Sequence, residues 1–209
     1  MSRALPLSLA VIGRDSLVSK AVLVLAGSAF IAVAAQVSVP MIPVPMTLQT
    51  LAVLMVGLTM GSRLGAVTVL AYLAEGAMGL PVFAEGKSTL ALIGPSAGFL
   101  LGFVGMAFIA GLAADYGIKK FLPMAALALV AAAALYIPGV TWPLAIAKIA
   151  GVTQFLAGFG MDPSKWGADT GAMIWQYYMS PFLIGDAVKA VLAALIVAGG
   201  WSVVNRRAA

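Results

Sequence analysis

From Lys20 to Arg63 the chain carries no charged side chain, and the apolar run is punctuated by Pro40, Pro43 and Pro45. This pattern predicts a helix over about 20–39, a proline-rich connection, and a shorter helix over about 47–61. At about 1.5 Å per residue the second span reaches only ~22 Å, short of the ~30 Å hydrocarbon core. Either that helix is short or the proline loop folds back into the protein. Arg63 and Gly65 open a third helix, about 64–80, ended by Gly79-Leu-Pro81. A loop with Glu85, Gly86 and Lys87 leads to Gly94-Pro95, which starts a fourth span of about 95–117. Proline is favourable in a first helical turn, where its missing N–H has no partner to lose. Lys119 and Lys120 separate this span from a fifth, about 121–138, which Pro138-Gly139 is expected to stop. The sixth runs over about 181–204. The connection 139–180, with Asp162, Lys165 and Asp169, is expected to lie outside the bilayer as surface helices or a cap.

Composition assigns the class. The chain of 209 residues is 63% hydrophobic and 9% charged, with a mean hydropathy of +1.09. Soluble domains average about 25% charged residues. Long apolar runs without strand alternation favour helices over a β-barrel. The expected fold is therefore all-α integral membrane, with six transmembrane helices in one domain, 20–204. There is no cysteine and no histidine, so disulfides, thiolate metal sites and histidine general bases are excluded. The net charge of +5 is spread along the chain and reads as a topology signal rather than a nucleic-acid surface. With the N-terminus inside, Arg3, Arg14, Lys20, Arg63, Lys119, Lys120, Arg206 and Arg207 are cytoplasmic, against Lys87, Lys148 and Lys165 outside. This bias puts both termini in the cytoplasm, with 1–19 a lead-in, 205–209 a tail, and the chain multi-pass in the cytoplasmic (inner) membrane. Pro6 and Arg14-Asp15 argue against a signal peptide at the N-terminus.

One charged pair breaks the apolar pattern of the sixth span. Asp186 and Lys189 lie three residues apart, on one helix face. Each costs roughly 2.5–3.5 kcal/mol at the centre of a membrane helix, and ionisable residues there usually serve a site or a pathway. The topology moves them to the outer half of the bilayer. Thr47 and Gln49, Tyr72 and Glu75, and Ser96, Gly98 and Phe99 fall at a similar depth. Together they describe a pocket open to the outside. An internal ion pair with interhelical hydrogen-bond glue is the other reading.

Four segments carry a resemblance: Pro43-Val-Pro-Met-Thr-Leu-Gln49-Thr, Tyr72-Leu-Ala-Glu-Gly-Ala-Met-Gly-Leu-Pro-Val-Phe83, Gly94-Pro-Ser-Ala-Gly-Phe99-Leu-Leu-Gly-Phe103 and Pro181-Phe-Leu-Ile-Gly-Asp186-Ala-Val-Lys189-Ala. In this order and spacing the chain resembles the BioY family, the biotin-specific S components of energy-coupling factor (ECF) transporters, over about residues 20–204. The resemblance implies high-affinity capture of biotin from the outer side and delivery to the cytoplasm, with Asp186 and Lys189 binding the ligand. A carboxylate only accepts and an ammonium only donates, which matches the N–H and carbonyl groups of a ureido ring. Tyr72, Phe83, Phe99 and Phe182 are the expected apolar walls, Gly98 lies beside them, and Gln49 and Thr47 are hydrogen-bond candidates.

Two departures stand out. Phe99 occupies a position where many family members have tyrosine, and the first helix carries Ser28-x-x-x-Ala32 in place of a strict Ala-x-x-x-Ala docking pattern. The implied partners are biotin, membrane lipid and a coupling module of a transmembrane T component and ATPase subunits. Self-association and a dedicated module are open alternatives to a shared one. No cofactor is expected. No G-x-x-x-x-G-K-[ST] occurs, so ATP is used by partner subunits and the chain is not an enzyme. The competing functions are a proton-coupled secondary transporter using Asp186 as a relay, and a structural membrane subunit.

Overall fold

The computed structural model describes residues 6–8, 16–151, 157 and 170–208. Asp162, Lys165 and Asp169 lie outside the described residues. The chain is mostly helical. Helix α1 (Leu17–Gln36) starts where Ser16 caps it, its hydroxyl accepting from the Ser19 N–H at 3.1 Å. A short antiparallel hairpin follows, β1 (Ser38–Val39) paired with β2 (Met46–Thr47) in the register Ser38↔Thr47. Both alternatives for the proline stretch therefore hold: the loop folds back, and α2 (Gln49–Met60) is short. Thr47 belongs to the hairpin rather than to a helix.

A single residue separates α2 from α3 (Ser62–Ala77). Gly61 takes a left-handed φ of 85°, and a Cβ there would meet Asp115 Oδ1 at 2.7 Å. The turn is further closed by the Ser62 hydroxyl, which donates to the Asp115 carboxylate. Helix α4 (Ala97–Asp115) lies against this α2–α3 unit, and α5 (Phe121–Ala150) packs on its other side. Helix α6 combines an α-helical start (Thr170–Ile174), a π-helical turn (Trp175–Met179) and a long α-helical stretch (Ser180–Ala208), packing on α5 and α2.

Among the described residues four helical runs are long and apolar enough to cross a membrane: Leu17–Gln36, Ala97–Asp115, Phe121–Ile149 and Thr170–Val204. Their burial differs sharply, 67% for α4 against 17% for α1. Helix α4 is the central post of the bundle, whereas α1 lies on its edge with Leu17, Val18, Leu25 and Val33 uncovered.

The expected stop at Pro138-Gly139 is corrected. Helix α5 runs through both Pro138 and Pro143 to Ala150. Proline removes one backbone bond and pushes on the preceding turn, but packed neighbours in a membrane bundle can absorb this. Here α4 presents Gly98 and Gly102 to the bend: a Cβ on Gly98 would lie 2.2 Å from the Pro138 carbonyl, and one on Gly102 2.6 Å from the Pro138 ring. The Thr141 hydroxyl also donates to the Ile137 carbonyl at 2.8 Å. The sixth helix likewise begins earlier than expected, at Thr170 instead of about 181. The long connection 139–180 is helical at both ends.

Candidate ligand site

The start of α2, the middle of α6 and α5, and the first turns of α4 converge on one cavity of about 640 Å³, its open mouth included. Its polar end is built on Asp186, 6% exposed, and Lys189, 9% exposed. The Lys189 ammonium donates to Asp186 Oδ1 at 3.1 Å. The Thr50 hydroxyl, from α2, donates to the same oxygen at 3.0 Å. The Tyr136 hydroxyl, from α5, donates to Oδ2 at 2.7 Å. Three helices thus clamp one carboxylate. A carboxylate offers about four acceptor sites and an ammonium three donors. Among the described residues Lys189 commits one N–H and Asp186 three acceptor sites. The pair therefore faces the cavity with donors and an acceptor to spare.

The apolar end is aromatic. Phe99 and Phe182 line the cavity with ring centroids 6.3 Å apart. Phe99 also meets Tyr136 edge-on at 6.0 Å and stacks parallel to Tyr178 at 6.4 Å. Phe83 forms the opposite wall, fully buried, its ring set edge-on to Tyr72 and lying on Gly76. A side chain at Gly76 would occupy the ring's position, with a Cβ only 2.1 Å from Phe83 Cζ.

The loops close the mouth. Val44, Pro45 and Thr47 come from the hairpin; Ala84, Lys87 and Ala91 come from the segment between α3 and α4. Lys87 pairs with Glu85 Oε2 at 2.6 Å and stays half-exposed, so a cation sits at the rim, remote in sequence from the buried pair. Gln49 reaches the cavity from the first turn of α2. Its Oε1 accepts from Thr47 Oγ1 at 3.0 Å, and its Nε2 donates to the Tyr72 hydroxyl at 2.6 Å.

Seven of the nine sequence-predicted positions therefore meet at the cavity: Asp186, Lys189, Gln49, Thr47, Phe83, Phe99 and Phe182. Tyr72 stands one layer back, supporting Gln49 and Phe83 rather than lining the space. Gly98, a binding candidate beside the aromatic walls, faces away into the α4–α5 contact next to Pro138 and Trp142 and does not line the cavity.

A family model described as "BioY family" matches residues 6–206 of the chain. The chain belongs to the BioY family. BioY relatives named "Biotin transporter BioY" include one from Rhizobium etli, 34% identical over 77% of this chain and 79% of its own length. The Rhodobacter capsulatus relative is 36% identical over 76% and 81%. That of Thermotoga maritima is 35% identical over 81% and 88%. A crystal structure titled as the S-component for biotin from an ECF-type ABC transporter shares the fold, with a TM-score of 0.66 at 22% identity. The match covers 88% of this chain and 93% of that one.

Within this BioY chain the site includes three residues the sequence did not single out: Thr50 and Lys87, which line the cavity, and Tyr136, which holds Asp186 from behind the lining. Thr50 directly follows Gln49 in the first turn of α2, but adjacent helical residues point about 100° apart, so its inward position does not follow from that of Gln49. Tyr136 lies in the fifth span, two residues before a proline expected to end it, where nothing local marks it as a partner of Asp186. Lys87 carries no local signal, because only the fold of the 78–96 segment brings it over the mouth.

Proposed function

We propose that this protein is the membrane component that captures biotin from the outer side and passes it to the cytoplasm. The observation that carries the reading is the half-committed Asp186–Lys189 pair at the polar end of an aromatic cavity, in a chain of the BioY family. Biotin's ureido ring has two N–H donors and a carbonyl acceptor. The free acceptor capacity of Asp186 takes an N–H, and the spare N–H groups of Lys189 take the carbonyl. The bicyclic ring then lies between Phe99, Phe182 and Phe83, and the valerate chain runs toward the loops. Its carboxylate ends near Lys87, where a half-exposed ammonium recognises it at the rim.

The topology that serves this function has six spans, with α2 and α3 as short members and both termini cytoplasmic in the inner membrane. The hairpin and the 78–96 segment then form the outer face, in agreement with the lysine and arginine bias. Release to the cytoplasm requires energy from a coupling module with a transmembrane T component and ATPase subunits, since no nucleotide-binding motif occurs in this chain. No cofactor enters the reading, and the protein performs transport rather than catalysis. Titration of the purified protein with biotin, beside Asp186→Asn and Lys189→Met, tests it. Saturable binding lost in both variants is the expected result. Full affinity in both variants sinks the site assignment, and no binding by the parent sinks the function.

A further inference from the structure

We propose that Gln36 is a positioning residue that fastens the cavity wall bearing Phe83 and Lys87, and thereby sets how long a bound ligand is retained. The ligand arm of this inference rests on the biotin reading above. Gln36 is the last residue of α1 and its side chain is exposed. Its one amide nevertheless grips both ends of a turn. Nε2 donates to the Phe83 carbonyl at 3.1 Å and to the Val82 carbonyl at 3.5 Å, as well as to Ala32 of its own helix at 3.2 Å. Oε1 accepts the Gly86 N–H at 3.2 Å.

The gripped turn needs such support. Glu85 and Gly86 are consecutive left-handed residues, with φ of 60° and 69°. That conformation is uncommon for a residue bearing a Cβ and persists when its surroundings over-determine it. The turn closes on itself through Phe83 N–H to the Lys87 carbonyl at 3.0 Å and Lys87 N–H to the Ala84 carbonyl at 3.2 Å. Those bonds hold its shape. Gln36 ties that shape to the bundle.

The Val82 carbonyl gives the tie a route to the ligand space. It also accepts from the Tyr72 hydroxyl at 3.1 Å, and that hydroxyl accepts from the cavity residue Gln49 at 2.6 Å. Gln36 directly, and Gln49 through the Tyr72 hydroxyl, therefore connect to one backbone oxygen. Helix α1 is largely uncovered by the bundle, and its last residue is the one whose side chain hydrogen-bonds the 82–86 turn.

The test compares full-length parent, Gln36→Ala and Gln36→Glu in nanodiscs. It measures biotin association, biotin dissociation, thermal stability, and hydrogen exchange of the 82–88 amides in ligand-free protein. Loss of the amide's bonds to the Val82 and Phe83 carbonyls and to the Gly86 N–H is expected to speed dissociation about three- to tenfold in Gln36→Ala. Exchange should rise at Gly86 while the transmembrane helices keep their protection. Gln36→Glu keeps an acceptor for Gly86 but loses both donors, so Gly86 stays protected while dissociation still quickens. Unchanged 82–88 exchange in Gln36→Ala overturns the inference, as does unchanged dissociation in variants that bind biotin. A uniform rise in exchange across all helices overturns it too, because that is a general stability effect. If the parent binds no biotin, the function reading fails, while the exchange measurement still decides whether Gln36 fastens the turn.

Discussion

The Tyr136 hydroxyl of α5 reaches across to α6 and donates to Asp186 Oδ2 at 2.7 Å, leaving Oδ1 to Lys189 and Thr50. A bond from a neutral donor to a buried carboxylate contributes about 1.5–3 kcal/mol. Tyr136→Phe keeps the edge-on packing against Phe99 and removes only that bond. It should weaken biotin binding by about tenfold or more and lower the melting temperature, measured by titration and thermal unfolding of the same preparation.

The buried pair predicts a non-additive double variant. Removing one partner of a buried ion pair costs about 3–5 kcal/mol, because the other charge is left uncompensated. Lys189→Met alone and Asp186→Asn alone should each lose stability as well as ligand. Asp186→Asn combined with Lys189→Met should recover stability above either single variant while binding remains absent. If the double variant is as unstable as the sum of the singles, the two charges are not acting as one buried pair.

Lys87 should matter only for ligands with a free carboxylate. Its ammonium is half-exposed and already meets Glu85, so the gain from a ligand carboxylate is modest, of order 1 kcal/mol. Lys87→Gln is expected to weaken biotin roughly three- to tenfold and to leave the affinity for biotin methyl ester unchanged. Equal losses for both ligands place the carboxylate elsewhere.

Gly98 gives a packing prediction where a site role had been expected. A Cβ there would overlap the Pro138 carbonyl and the Trp142 Cβ, and overpacking of this kind costs about 1–3 kcal/mol or more. Gly98→Val should reduce the yield of monodisperse protein and its melting temperature. Gly105→Ala, where a Cβ meets nothing within 4 Å, should be silent in both measurements.

The helical membrane class and the identity of the charged pair were legible from residues alone. Long apolar runs without strand alternation satisfy their backbone groups in the bilayer as helices, while the charge-free run between Lys20 and Arg63 also holds the proline-rich hairpin. The Asp186–Lys189 spacing could be read for the same reason: i, i+3 neighbours share a face wherever a helix forms. Helix ends were harder. Pro138-Gly139 reads locally as a stop, yet α5 continues through it, with Gly98 and Gly102, about 40 residues earlier in the sequence, leaving room for Pro138. The same hidden partnership places Gly98 in a packing contact rather than in the cavity lining.

Sequence by itself determined that the chain is a helical membrane protein and that one helix face carries an acid and a base at a cost that calls for a role. Only the tertiary structure decided what surrounds that pair. Thr50 and Tyr136 reach Asp186 from two other helices, and Lys87 and Gln36 act through a turn between α3 and α4. Periodicity reports which side of a helix is apolar; it contains no information about which helix stands opposite. That choice is made by close packing between small residues distant in the chain, such as Gly57 against Ala107 and Gly111 against Ser62, where the bundle's contacts are set.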